Sequence, residues 1–215
     1  MRDPALKPTA PRSQPRGSRE SSAPLPMHAR AEADLAFVRA TVERTAYFSA
    51  VPGVAGMLMG VTALAAAVLA EAQPTRDAWL AVWLGEAIVA GTIGSIGIVQ
   101  KARRRQVSLG TGAARRFALG MLPPIVAGGA LTAACVRADA WSLIAPVWLL
   151  CYGIAVLGAG AVSATRVVPA MGLLFLLCGI AAVASPATWN HWYMACAFGA
   201  GHIVAGAIIA RRHGG

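Results

Sequence analysis

Residues 78–105 read AWLAVWLGEAIVAGTIGSIGIVQKARRR, and the solvent this chain folds in can be inferred from them. From Trp79 to Val99 about twenty mostly apolar residues run together, the length an α-helix rising ~1.5 Å per residue needs to cross a ~30 Å hydrocarbon layer. The stretch therefore reads as a transmembrane helix. Trp79 and Trp83 stand at one end, while Lys101, Arg103, Arg104 and Arg105 follow the other. Basic flanks stay on the cytoplasmic side, so the segment carries its own orientation label. Glu86 lies between the two ends, and hydrocarbon penalises an ionisable group, so it must face protein or water.

Composition agrees with a lipid solvent. Mean hydropathy is +0.59 and charged residues make up 13%, against roughly 25% in a soluble domain. At 215 residues, the chain has room for one helical membrane domain and a short soluble segment. The net charge of +10 gathers in the N-terminal tail and beside the spans. That placement points to anionic inner-leaflet lipid, not nucleic acid, as the partner. Usage rich in Arg, Ala and Gly suggests a bacterial source and hence an inner membrane.

Six spans can be counted from 18-to-23-residue apolar windows: 51–70, 79–99, 117–136, 141–163, 167–185 and 193–210. With both chain termini in the cytoplasm, 101–116, Arg166, Arg211 and Arg212 fall inside as interfacial anchors, and Arg76 and Arg137 fall outside. The tryptophans give an independent test. Trp79, Trp83, Trp141, Trp189 and Trp192 cluster at the opposite ends of the same spans, as an outer aromatic belt would, with Trp148 deeper.

Ahead of the spans, residues 1–29 carry prolines, serines and arginines without an apolar period and read as a disordered tail. No hydrophobic signal-peptide core is present there, and Met27 is a candidate initiator. Residues 30–49 read as an amphipathic interfacial helix, with Leu35, Val38 and Val42 at helical spacing and Arg30–Asp34 and Arg39–Glu43 four apart. It is expected to run to Phe48 and end against Val51-Pro52. Residues 50–215 form the transmembrane domain, so the fold class is all-α, a polytopic six-helix bundle. Pro123-Pro124 should bend or break the third span, because proline removes backbone donors. Ile-Val-Ala-Gly recurs at Ile88, Ile125 and Ile203, a coincidence of a restricted alphabet and not an internal repeat.

Glu86 and His202 sit at similar depth, a third to a half of the way in from the tryptophan ends of their spans. Gly199 and Gly206 flank His202 at helical spacing, and Ala90 and Gly94 accompany Glu86, which allows close helix contact. The expectation is an intramembrane polar pair, either interhelical glue or a carrier of a proton or cation. The four cysteines, Cys135, Cys151, Cys178 and Cys196, read as small hydrophobes, with a Cys135–Cys196 disulfide conceivable. Neither a metal site nor a cofactor is expected, since ligand spacing for zinc, paired haem histidines, a P-loop and a dinucleotide fingerprint are missing.

Two stretches carry a resemblance. FGAGHIVAGAIIARRHGG at 198–215 and AVPGVAGMLMG at 50–60 resemble a bacterial family of small six-span integral membrane proteins, over residues 27–215. The resemblance implies the fold and a start near Met27, and it implies no activity. The sequence thus leads to a non-catalytic binding or regulatory membrane protein, possible as a homo-oligomer or with a protein partner. The alternative is a small transporter or channel using Glu86 and His202; a membrane-embedded enzyme is not expected.

Overall fold

A backbone crossing lipid must satisfy its own hydrogen bonds, and helices do so within a single segment. The computed structural model describes residues 30–32, 34–38, 47–106, 108–110 and 112–213. Six helices in it are long and apolar enough to cross a membrane. They are α1 (Gly53–Glu71), α2 (Arg76–Arg104), α3 (Gly112–Arg137), α4 (Ile144–Gly160, entered through the 3₁₀ turn Trp141–Leu143), α5 (Val167–Ala184) and a composite α6. α6 begins in the 3₁₀ turn Ala187–Trp189, runs as α-helix over Asn190–Met194, widens to a π-helix over Ala195–Gly201 and returns to α-helix over His202–His213.

Side-chain size is distributed inside out relative to a soluble protein. On α1 the buried residues are Gly53, Ala55, Gly60, Ala63, Ala66, Ala67 and Ala70, while Val54, Leu58, Val61, Val68 and Leu69 are exposed. In water this arrangement would waste the largest apolar side chains. In lipid it costs nothing, and small inward residues let helix backbones approach. The chain is a multi-pass membrane protein by this criterion as well as by span length.

The helices pack as two trios. In one, α1 lies between α2 and α6; in the other, α4 lies between α3 and α5. α6 joins them by touching α4 and α5. The α1–α6 seam is a close backbone approach, since a Cβ placed on Gly206 would lie 2.6 Å from the Gly53 carbonyl and the Met57 amide nitrogen. Gly94 and Gly97 of α2 meet Met59 and Ala55 of α1 in the same way.

Basic residues mark one end of the bundle and tryptophans the other. Lys101 to Arg105 close α2, Arg166 precedes α5, and Arg211 and Arg212 lie in the last turn of α6. Arg166, Arg211 and Arg212 are exposed, as anchors are. Trp79, Trp141, Trp189 and Trp192 begin their helices at the other end, where Trp189 and Trp192 are exposed.

Three expectations require correction. Phe48 is not helical: Tyr47–Ala50 is a strap, in which Phe48 N–H donates to the Val162 carbonyl at 2.7 Å and Ala164 N–H to Phe48 O at 3.0 Å. Phe48 is 2% exposed and packs on Phe117 with ring centroids 4.5 Å apart, so its apolar bulk is spent in the protein, not on a helix face. The helical residues described before it are 30–32 and 34–38, with Leu35 and Val38 exposed. The N-terminal tail and the Met27 start lie outside the described residues.

Second, α3 is not broken at Pro123 and Pro124, since it stays helical from Gly112 to Arg137. Pro124 leaves the Gly120 carbonyl without its i+4 donor. That carbonyl packs against Gly158 of α4, where the lack of a side chain on both residues lets backbone meet backbone. Neighbouring Cα–H groups can satisfy it in part. Third, the widened turn of α6 was not anticipated, because its sequence ACAFGAG is as apolar as a regular helix.

Candidate functional site

Where the two trios meet, aromatic rings from three helices close around one imidazole. Tyr152 of α4, Phe175 of α5 and Phe198 and His202 of α6 form a cluster whose centroid separations run from 4.7 Å for Phe175–Phe198 to 6.2 Å for Phe198–His202. Trp83 of α2 adds to its rim, 6.4 Å from Phe198. Phe175 is fully buried and His202 is 5% exposed.

The hydrogen bonds of His202 fix its tautomer. Nδ1 lies 3.0 Å from the Phe198 carbonyl, which can only accept, so Nδ1 carries a proton. In the neutral ring Nε2 is then the acceptor, and the Tyr152 hydroxyl at 3.0 Å donates to it. The π-helical turn makes this possible. His202's own backbone N–H goes to Gly199 O, leaving room on the Phe198 carbonyl for the ring. π turns of this kind often accompany special side-chain geometry.

Glu86 lies elsewhere. Its Oε1 accepts from Thr62 Oγ1 of α1 at 2.9 Å, and the same hydroxyl lies 3.0 Å from Met59 O. The expected Glu86–His202 pair is therefore not formed. Depth was equal, but α1 wedges between α2 and α6: the Gly199–Gly206 stripe packs on Gly60, Gly56 and Gly53 of α1, and His202 turns from it towards α4 and α5.

Further polar contacts tie the bundle. Trp148 Nε1 of α4 donates to Thr132 Oγ1 of α3 at 2.8 Å, and Thr132 donates on to Gly128 O at 2.8 Å. At the tryptophan end Ser185 and Tyr193 hydroxyls are 2.9 Å apart, and Asn190 Nδ2 donates to Ser142 O at 2.8 Å. Asn190 Oδ1 and Trp83 Nε1 are buried without a partner. Trp83, which the sequence places in the outer belt, is partly buried and packs against the core cluster, its ring 6.4 Å from that of Phe198.

The cysteines are free thiols: Cys178 is buried, Cys135 and Cys151 are half-buried, and Cys196 is exposed. Cys196 neighbours Cys178, not Cys135. Among the described residues no group of His, Cys, Asp and Glu has the arrangement of a metal site.

Sequence reasoning missed Tyr152 and Thr62, the partners that decide both ionisable residues. A tyrosine in mid-span was the available signal, since a buried phenol seeks a polar partner. Thr62 gave none, because threonine in a membrane helix commonly satisfies itself on its own backbone. Comparison with family models, with characterised proteins and with solved structures returns no match to this chain. Function must be read from the chain's own geometry.

Proposed function

We propose that this is a non-catalytic binding or regulatory protein of a bacterial inner membrane, with both termini cytoplasmic and its basic end on the anionic leaflet. The observation that carries the reading is the separate satisfaction of the two ionisable side chains. His202 is held by a carbonyl and a phenol within a packed aromatic cluster, and Glu86 is held by a threonine of α1. A proton or cation path needs groups that exchange partners along a wet route. Here α1 separates the two groups, and rings enclose one of them, so interhelical glue is the role their surroundings support. Basic residues gathered at one end and tryptophans at the other support the orientation.

Proteoliposomes test the activity. Purified protein under a proton or monovalent-cation gradient is expected to give flux no greater than empty vesicles. Protein-dependent flux abolished by Glu86→Gln would replace this reading with that of a small transporter. A reporter on the C-terminus tests the orientation and is expected to be active only when it is of a type that works in the cytoplasm.

A further inference from the structure

α2 is the least buried of the six spans and rests principally on α1, which its Gly94 and Gly97 approach. Glu86 borders that contact. It follows Trp79 by seven residues, which at ~1.5 Å per residue places it about 10 Å deeper than the tryptophan and within the hydrocarbon. Ionisable side chains at such a depth face the interior of a bundle or pair with one another. One chain goes only part of the way to meeting that need. Glu86 is half-buried, and among the described residues its hydrogen-bond partner is the Thr62 hydroxyl, which donates to Oε1 at 2.9 Å and leaves Oε2 open.

The side of α2 that carries Glu86 is uncovered along much of its length. Val82, Val89, Ile93, Ile96 and Gln100 recur with Glu86 at spacings of three and four, and so share that side. Val89, Ile96 and Gln100 are exposed, and Val82 and Ile93 are half-buried. Lipid accepts the apolar members as readily as protein would, so they say nothing about a partner. The polar members do. Glu86 and Gln100 stand fourteen residues apart, two heptads along one strip.

We infer that this side of α2 is where two copies of the chain pair within the membrane, each completing the other's Glu86. Copies inserted in the same sense are related by a two-fold axis along the membrane normal, and residues beside that axis meet their own counterparts at equal depth. The strip must then satisfy Glu86 with Glu86 and Gln100 with Gln100. Both side chains are able to do so, because a carboxylic acid and a primary amide each donate and accept. In the acid form, Oε2–H of one copy donates to Oε1 of the other, whose second lone pair takes the Thr62 hydroxyl. An unrelated protein would have to present such a group at the same depth, whereas a second copy brings it by symmetry. The inference stands apart from the reading above: it uses only the depth and exposure of Glu86, and holds for a transporter as for a binding protein.

The test is energy transfer between full-length copies carrying donor or acceptor fluorophores at the C-terminus, in liposomes of phosphatidylcholine and phosphatidylglycerol at falling protein-to-lipid ratio. Wild type is expected to transfer as a dimer. Glu86→Leu should weaken association about tenfold, while Glu86→Gln, which keeps a donor and an acceptor, should hold it within about twofold. Glu86→Leu strands no polar group, since the Thr62 hydroxyl has the Met59 carbonyl at 3.0 Å. Position is read separately. In native membranes, oxidation should link V89C copies to each other above the wild-type background, but not copies of G91C, which lies on the opposite side of α2 from Glu86 in open space. This pair of variants stays readable if Glu86→Leu does not fold. Four results would overturn the inference: wild-type transfer no greater than random mixing gives, association of Glu86→Leu equal to wild type, G91C linking as well as V89C, or V89C linking only to a different protein.

Discussion

His202 lies at the joint of the two helix trios with both ring nitrogens engaged, whereas Glu86 lies on the edge helix α2 with a single hydroxyl partner. The two began as equals in the sequence, each an ionisable side chain at similar depth among small residues. What separates them is the neighbour count of their helices. α6 packs on α1, α4 and α5, whereas α2 leans principally on α1. A polar group in the first setting is enclosed on every side and becomes part of the packing. In the second it needs only one bond to the adjoining helix, and its surroundings constrain it far less.

The largest way to break this contrast is to separate α1 from α6. Gly206→Leu would drive a side chain into the Gly53 carbonyl and the Met57 amide, which are backbone and cannot rotate away. Overpacking ordinarily costs about 1 to 3 kcal/mol. Here no rotamer relieves it, so more than ~3 kcal/mol is expected, visible as loss of the monodisperse peak in detergent. Gly91→Leu, where a Cβ meets nothing within 4 Å, should elute as wild type does. If both variants behave alike, the seam is not what positions α6.

Next in size is the joint itself. His202→Ala removes a buried ring and leaves the Tyr152 hydroxyl and the Phe198 carbonyl to find other partners, a loss of about 2 to 4 kcal/mol. Tyr152→Phe removes one hydrogen bond and should cost about 1 kcal/mol. Denaturant titration of the two singles and the double should give a coupling near 1 kcal/mol. Glu86→Gln combined with His202→Ala should be additive within ~0.5 kcal/mol. Coupling between residues 86 and 202 as large as that between 152 and 202 would mean that α1 does not separate them.

Much of this fold was legible in the sequence because the solvent wrote it there. Spans near twenty apolar residues, basic residues at alternate ends and tryptophans opposite them follow from hydrocarbon thickness and interfacial preference. Helix neighbours did not follow from the same signals. In water a helix shows which face it buries, by polarity; in lipid both faces are apolar, and the inward face is marked only by small residues. Gly199 and Gly206 were correctly read as a contact stripe, but several helices carry such stripes, and nothing in the stripe says that α1 and not α2 fills it. Phe48 was misplaced for a related reason. Its apolar character fits an amphipathic helix and a buried strap equally, and only the Val162 and Ala164 backbone partners from the loop between α4 and α5 decide between them.

Glu86 alone gives a smaller effect that sharpens the contrast. Glu86→Gln keeps a carbonyl oxygen for the Thr62 hydroxyl to donate to, so stability should change by less than ~1 kcal/mol. Thr62→Val removes the donor while keeping the shape, and should cost about as much as a single membrane hydrogen bond, ~0.6 kcal/mol.

The smallest effect is expected at the tryptophan end, where α2 starts and α3 finishes. α3 ends in a Schellman turn: Asp139 adopts φ 53°, its N–H reaches Val136 O at 3.2 Å and Ala140 N–H reaches Cys135 O at 2.9 Å. The carboxylate so presented meets Arg76 at 3.1 Å, with the two side chains 82% and 67% exposed. Exposure on that scale leaves the pair in high dielectric, so Arg76→Ala should change stability by less than ~0.5 kcal/mol and by less still in high salt. Asp139→Gly separates the two roles of the residue. It loses the same ion pair but relieves a left-handed backbone that glycine adopts freely, so it should equal or exceed Arg76→Ala in stability. A larger loss from either variant would show that the ion pair, and not α1, holds the edge helix in place.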